Sequence, residues 1–231
     1  MTSKLLILYK TTVLNNLVFN LTSSYCNNFE NVKSYFIYCD ENIEKDVLVE
    51  NNLIKIKLKE DNWQSLLVKV VKSFELFKTH DYTHIMVTNI STIVNIPIIY
   101  KMLSNSKCMS VKGCYKFNNI DYNFPSGAGY IFNIDLVNNI CDFFDINNYL
   151  INNKLTNDFL NNYPSTDDVF FGYYLKINKI EIDTIDRLDV INSEVYIKAP
   201  HYNYSHFRIK TGIVESDYRC FSFIIKNIYI N

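Results

Sequence analysis

Along the chain, short apolar runs alternate with stretches in which apolar residues recur every three or four positions, as they do where strands and helices are interleaved. The run LLILY at residues 5–9 is unbroken and reads as a strand buried on both faces. Thr11 or Thr12 is then placed to cap a helix. Residues 34–38 read as a second strand ending at Asp40, and residues 53–58 alternate apolar residues with lysines, as a half-exposed strand does. Asp61 caps an amphipathic helix whose Trp63, Leu66, Leu67, Val70, Val71, Phe74 and Phe77 share one side, and residues 82–87 supply the next strand. Further on, Thr166 can cap a helix rich in aromatics, residues 206–211 alternate in strand fashion, and an amphipathic helix closes the pattern around 217–229. This succession predicts one α/β domain over residues 1–231 with an open sheet in mostly parallel order. Ligands of such sheets sit beyond the carboxyl ends of the strands, near the reversal of strand order, which directs attention to YKTT at 9–12 and TNIST at 88–92.

Composition narrows the function. Hydrophobic residues make up 48% of the chain, enough for a full core, while a formal net charge of −1 gives no large positive field. A nucleic-acid binder working through phosphate contacts is therefore not expected. Cys26, Cys39, Cys108, Cys114, Cys141 and Cys220 form no C-x-x-C pair and fall inside apolar or helical patterns, as buried thiols of a reducing compartment do. His80, His84, His201 and His206 have no zinc-type spacing with carboxylates or cysteines. The N-terminal apolar stretch is interrupted by Lys10, Asn15 and Asn16, so it is neither a secretory core nor a membrane span, and a soluble, cytoplasmic protein is expected.

Three segments carry candidate chemistry. FPSGAGYIF at 124–132 holds two of five glycines one residue apart. They form either a tight turn into a buried strand or a backbone wall, Ser126, Gly127, Ala128 and Gly129, against which a sugar lies. In STDDVFFGYYLK, Asp167 and Asp168 fall in a first helical turn, where the dipole and free amides favour negative charge. A carboxylate there either stabilises the helix alone or, held rigidly by the aromatics behind it, acts as a general base. In HFRIKT, His206, Arg208 and Lys210 share one strand face, either solvated or suited to a diphosphate that Arg219 could also reach.

In order and relative spacing, DNWQSLLVKVVKSFELF, YTHIMVTNIST, SGAGYIFNIDLV, TDDVFFGYYL and HFRIKT resemble the landmarks of GT-A fold glycosyltransferases. The fringe and β-1,3-galactosyltransferase type, and a related group in large DNA viruses, are the nearest in pattern, and the resemblance covers most of the chain from Asp61 onward. It implies a Rossmann-like, mixed, mostly parallel sheet flanked by helices. It also implies transfer of a sugar from a nucleotide-sugar donor, a UDP-sugar by preference, to a hydroxyl of a glycan or glycoprotein acceptor with inversion. For a viral protein, the host cytoplasm or virus factory is the expected location. Asp168 falls at the place of the family's base, with Asp167 in the preceding acidic place to help position acceptor hydroxyls. On the donor side the resemblance puts Tyr9, Lys10, Thr11 and Thr12 by the nucleobase and ribose, with Asp40 a further candidate, and Lys69 matches a family lysine facing the donor, if it is not simply solvated. The family's Asp-x-Asp metal element would fall at Thr88 to Ser91, where this chain has Asn89, Ile90 and Ser91. Three outcomes stay open: a weak Mn²⁺ or Mg²⁺ site of Asn89 and Ser91 completed by His206, a metal-free enzyme using His206, Arg208 and Lys210 as cations, or a non-catalytic sugar-nucleotide or glycan-binding domain.

Overall fold

The computed structural model describes residues 3–12, 16–60, 64–103, 106–113, 122–144, 166–191 and 204–228. Asp61, Trp63, Cys114 and His201 lie outside them. The strands are β1 (Leu5–Lys10), β2 (Val32–Cys39), β3 (Val47–Glu50), β4 (Leu53–Ile56), β5 (His84–Asn89), β6 (Thr92–Val94), β7 (Cys108–Gly113), β8 (Phe124–Asn133), β9 (Asp183–Thr184), β10 (Arg187–Val190) and β11 (His206–Ile209). The helices are α1 (Asn16–Cys26), α2 (Gln64–Phe77), α3 (Ile96–Met102), α4 (Ile134–Phe143), α5 (Asp167–Ile177) and α6 (Val214–Ile228).

The central sheet has the order β3-β4-β2-β1-β5-β8-β7-β9, and only β3 and β8 oppose its common direction. This is the mixed, mostly parallel sheet expected. The chain builds outward from β1 through β2 to β4, then returns to lay β5 on the other side of β1, so strand order reverses between β1 and β5. Successive residues of β1 point to opposite faces. Leu6 and Leu8 join one core with Val70, Phe74 and Phe171, whereas Leu5, Ile7 and Tyr9 join the other with Phe19, Phe207 and Phe221. Being covered on both faces explains why its sequence is unbroken rather than alternating.

Several elements were not legible as runs. β3 pairs with β4 across a turn in which Asn51 takes φ 53°, a conformation asparagine tolerates better than most residues. α4 starts at Asn133, whose side chain accepts the Leu136 N–H at 2.9 Å. β6, β10 and β11 form a second sheet in the order β10-β11-β6. The five described cysteines are buried thiols, none joined in a disulfide. Among the described residues no helix is long and apolar enough to cross a membrane.

Two features aim the fold at one edge. β8 is antiparallel to β5 and their pairing stops at Val87 and Tyr130, so the first half of β8 runs on past the carboxyl end of β5. α5 lies tightly on that extension because Gly172 has no side chain: a Cβ there would meet Phe124 Cβ at 2.3 Å and its Cα at 2.9 Å.

Candidate active site

Lys10 ends β1, and α5 begins with two aspartates that the Gly172 contact brings to it. Lys10 Nζ lies 2.6 Å from Asp167 Oδ2, and the Tyr130 hydroxyl donates to the same oxygen at 2.7 Å. Asp167 is 2% exposed and Lys10 5%. The sequence reading assigned Asp167 to acceptor hydroxyls and Lys10 to the donor, but burial has paired them with each other. Nor does the Thr166 hydroxyl cap α5, although its backbone takes the N-cap position.

Asp168 differs from its neighbour. It is half-buried, its Oδ1 accepts the Val169 N–H at 2.9 Å, and its Oδ2 faces the vacant side of Gly127, where a Cβ would lie 3.0 Å away and 3.5 Å from Lys10 Nζ. Burial first, and then the negative charge of Asp167, raise its pKa above the ordinary aspartate value, with Lys10 opposing.

The glycine pair is neither a tight turn nor an open wall. Both glycines lie within β8, without positive φ, and each leaves room for a different neighbour. Gly127 admits Asp168, whereas a Cβ on Gly129 would meet His206 Nε2 at 2.3 Å. Ala128 is buried and its carbonyl accepts the hydroxyls of Thr88 at 2.6 Å and Thr92 at 3.4 Å, so Thr88 braces β8 from within the core. Only Ser126 and Gly127 of the expected wall reach partial exposure. Ser126 Oγ accepts from the Ala128 N–H at 3.3 Å and from Arg187 Nη1 at 3.2 Å.

On the expected donor side, Tyr9 is wholly buried and stacked on Phe36. Lys69 is not solvated: fully buried, it donates to the Thr11 carbonyl at 3.0 Å and to both Glu60 oxygens at 2.9 Å. It therefore ties α2 to the end of β1. Thr11 is buried, Thr12 exposed, and Asp40 accepts the Asn42 N–H at 3.1 Å. Asn89 and Ser91 are half-buried in the turn from β5 to β6, and the Ser91 carbonyl accepts the Ile209 N–H at 2.8 Å, which brings β11 beside that turn.

The basic face of HFRIKT is graded rather than uniform. His206 is wholly buried, with Nδ1 2.7 Å from Ser205 Oγ and Nε2 without a partner among the described residues. Burial, helped by the charge of Arg187, pulls its pKa down to about 3, so it is a neutral imidazole and not a cation. Arg208 Nη2 donates to Asp189 Oδ2 at 2.8 Å, Lys210 is exposed, and Arg219 pairs with Glu215 of its own helix instead of joining them. Arg187, Asp189, Glu60 and Tyr130 were missed. The spacing of Arg187 and Asp189 was a possible signal, since residues two apart share a strand face. Tyr130 lies hidden in an apolar run.

The expected donor set offers a divalent cation little: His206 turns its Nε2, unpartnered among the described residues, into the buried space beside Gly129. Asn89 and Ser91 offer only neutral oxygens, and the nearby carboxylates of Asp167 and Asp189 are already held by cationic side chains. Among the described residues no three His, Cys, Asp or Glu side chains are grouped to hold a metal ion.

A mixed sheet whose strand order reverses between β1 and β5 is the arrangement of the GT-A-like fold. A glycosyltransferase involved in the glycosylation of the major capsid of PBCV-1 shares it over 99% of this chain and 100% of its own, with a TM-score of 0.54 at 9% sequence identity. More distant likenesses are 4-diphosphocytidyl-2C-methyl-D-erythritol synthase from Anaerococcus prevotii (TM-score 0.47, 11% identity, 97% of this chain and 99% of that one) and a mutant Drosophila β-1,4-galactosyltransferase 7 in complex with manganese, UDP-Gal and xylobiose (TM-score 0.42, 9% identity, 78% and 64%). At these identities the likeness is one of fold. No family model matches the chain, and no curated protein sequence does.

Proposed function

We propose that this protein is an inverting glycosyltransferase that moves a sugar from a nucleotide-sugar donor, a UDP-sugar by the family resemblance, to a hydroxyl of a glycan acceptor, with Asp168 as general base. The observation carrying this reading is the contrast between two adjacent carboxylates. Asp167 is consumed by Lys10 and Tyr130, while Asp168 stands half-buried at the edge of the sheet with Oδ2 over Gly127. A base works best with a pKa drawn toward the working pH, which is the direction in which burial and Asp167 push Asp168. In the proposed step the acceptor hydroxyl gives its proton to Asp168, and its oxygen bonds to the anomeric carbon. The bond from that carbon to the diphosphate breaks on the opposite side, and the electron pair leaves on the nucleoside diphosphate. Lys10 holds Asp167, and through it the first turn of α5, and its charge limits the rise in the pKa of Asp168.

The competing reading is a non-catalytic sugar-nucleotide or glycan-binding domain, favoured by the lack of carboxylates at Asn89 and Ser91. Asp168→Asn separates the two. With a raised pKa, the ionised aspartate opposes folding at neutral pH, so the amide is expected to leave the melting temperature unchanged or higher. Release of nucleoside diphosphate from a panel of UDP-sugars and glycan acceptors is expected to fall by at least about 100-fold. Turnover retained in Asp168→Asn removes the base, and no turnover by the wild-type protein with any donor favours the binding domain.

A further inference from the structure

Something must neutralise the charge that grows on a departing diphosphate; His206 is buried under Gly129 and carries no charge, and Asn89 and Ser91 offer only neutral oxygens. The second sheet offers an alternative. β10 and β11 run parallel, with Arg187 opposite His206 and Asp189 opposite Arg208. Arg187 Nε lies 2.7 Å from Asp189 Oδ1 and its Nη2 3.2 Å from Oδ2, while Arg208 Nη2 lies 2.8 Å from Oδ2. Two guanidinium groups thus share one carboxylate, leaving an excess positive charge. The arginine side chains are 19% and 23% exposed, so that charge is partly desolvated and poorly screened.

Two observations tie this cluster to a ligand at the sheet edge. Arg187 Nη1 reaches Ser126 Oγ, the residue next to the Gly127 over which Asp168 stands. Arg208 Nε is buried with no acceptor among the described residues, a state that is costly unless something supplies one. Guanidinium groups match phosphate oxygens in pairs.

We propose that Arg187 and Arg208 form a metal-independent site for the diphosphate of the donor, with Asp189 holding both guanidiniums until a phosphate displaces it. This rests on the sugar-nucleotide reading of the same edge, and the experiment keeps the two apart.

Calorimetric titration with UDP and with inorganic pyrophosphate, in EDTA and again with Mn²⁺, is the test. Wild-type protein is expected to bind each ligand as well in EDTA as with Mn²⁺. Arg208→Met weakens both by about 10- to 100-fold, with Arg208→Lys intermediate and thermal melting reporting that each variant is folded. Asp189→Asn removes the competing carboxylate while keeping both guanidiniums, and it tightens pyrophosphate binding several-fold. A scaffolding role for Asp189 gives the opposite sign. Binding that needs Mn²⁺, binding unchanged in folded Arg208→Met, or weaker binding in Asp189→Asn overturns the proposal while leaving sugar transfer standing. Failure of both UDP and pyrophosphate to bind under either condition overturns both.

Discussion

Acidification is expected to destabilise this fold through His206. Its pKa is lowered from 6.5 to about 3 because the ring is buried between Gly129 and the second sheet, beside Arg187. In the unfolded chain the ring takes up a proton near its ordinary value. The unfolded state therefore binds more protons than the folded state below pH 6.5, and stability is lost as the pH falls from there, down to about pH 3. Each pH unit within that window costs about 1.4 kcal/mol, so the full loss approaches 5 kcal/mol, a large part of what a domain of this size has. Carboxylates also contribute to acid unfolding, and the readout is therefore a difference. Urea unfolding is followed for wild-type protein and His206→Gln from about pH 7 to pH 4.5, and the gap between the two stabilities is expected to shift in favour of Gln by about 2–3 kcal/mol over that range. Parallel stability curves mean that His206 titrates normally, and the close packing of its ring under Gly129 is then wrong.

Other residues give equally direct outcomes. Lys10→Met strands Asp167 in the core, and urea unfolding is expected to register a loss of about 3–5 kcal/mol; Lys10→Met combined with Asp167→Asn recovers much of it, because Tyr130 can still donate to the amide oxygen. Gly172→Ala drives a methyl group into the Phe124 backbone, costs about 1–3 kcal/mol by the same assay, and lowers turnover by displacing the helix that carries Asp168.

What could be read without coordinates was whatever depends on local period. The unbroken LLILY run, the apolar stripe of α2, and the acidic first turn of α5 with aromatics behind it each report burial through residues a few positions apart. The α/β succession, and with it the sheet edge at which a candidate site was sought, followed from these. Short elements with no room for a period, such as β6, β9 and β10, were not legible, since their pairing partners define them.

Side-chain roles were decided by tertiary structure. Asp167 and Asp168 are adjacent and chemically identical, and what separates them is Lys10, 157 residues away in the chain. Gly127 and Gly129 look alike in sequence, yet one admits a carboxylate and the other an imidazole. His206 is a potential cation until burial makes it neutral, and Arg187 gains meaning only when β10 aligns it beside β11. The sequence by itself determined which segments would be buried and at which edge of the sheet chemistry could occur. Only the fold decided which charged groups are used up in one another and which remain for a ligand, because desolvation and ion pairing act between residues that sequence spacing does not relate.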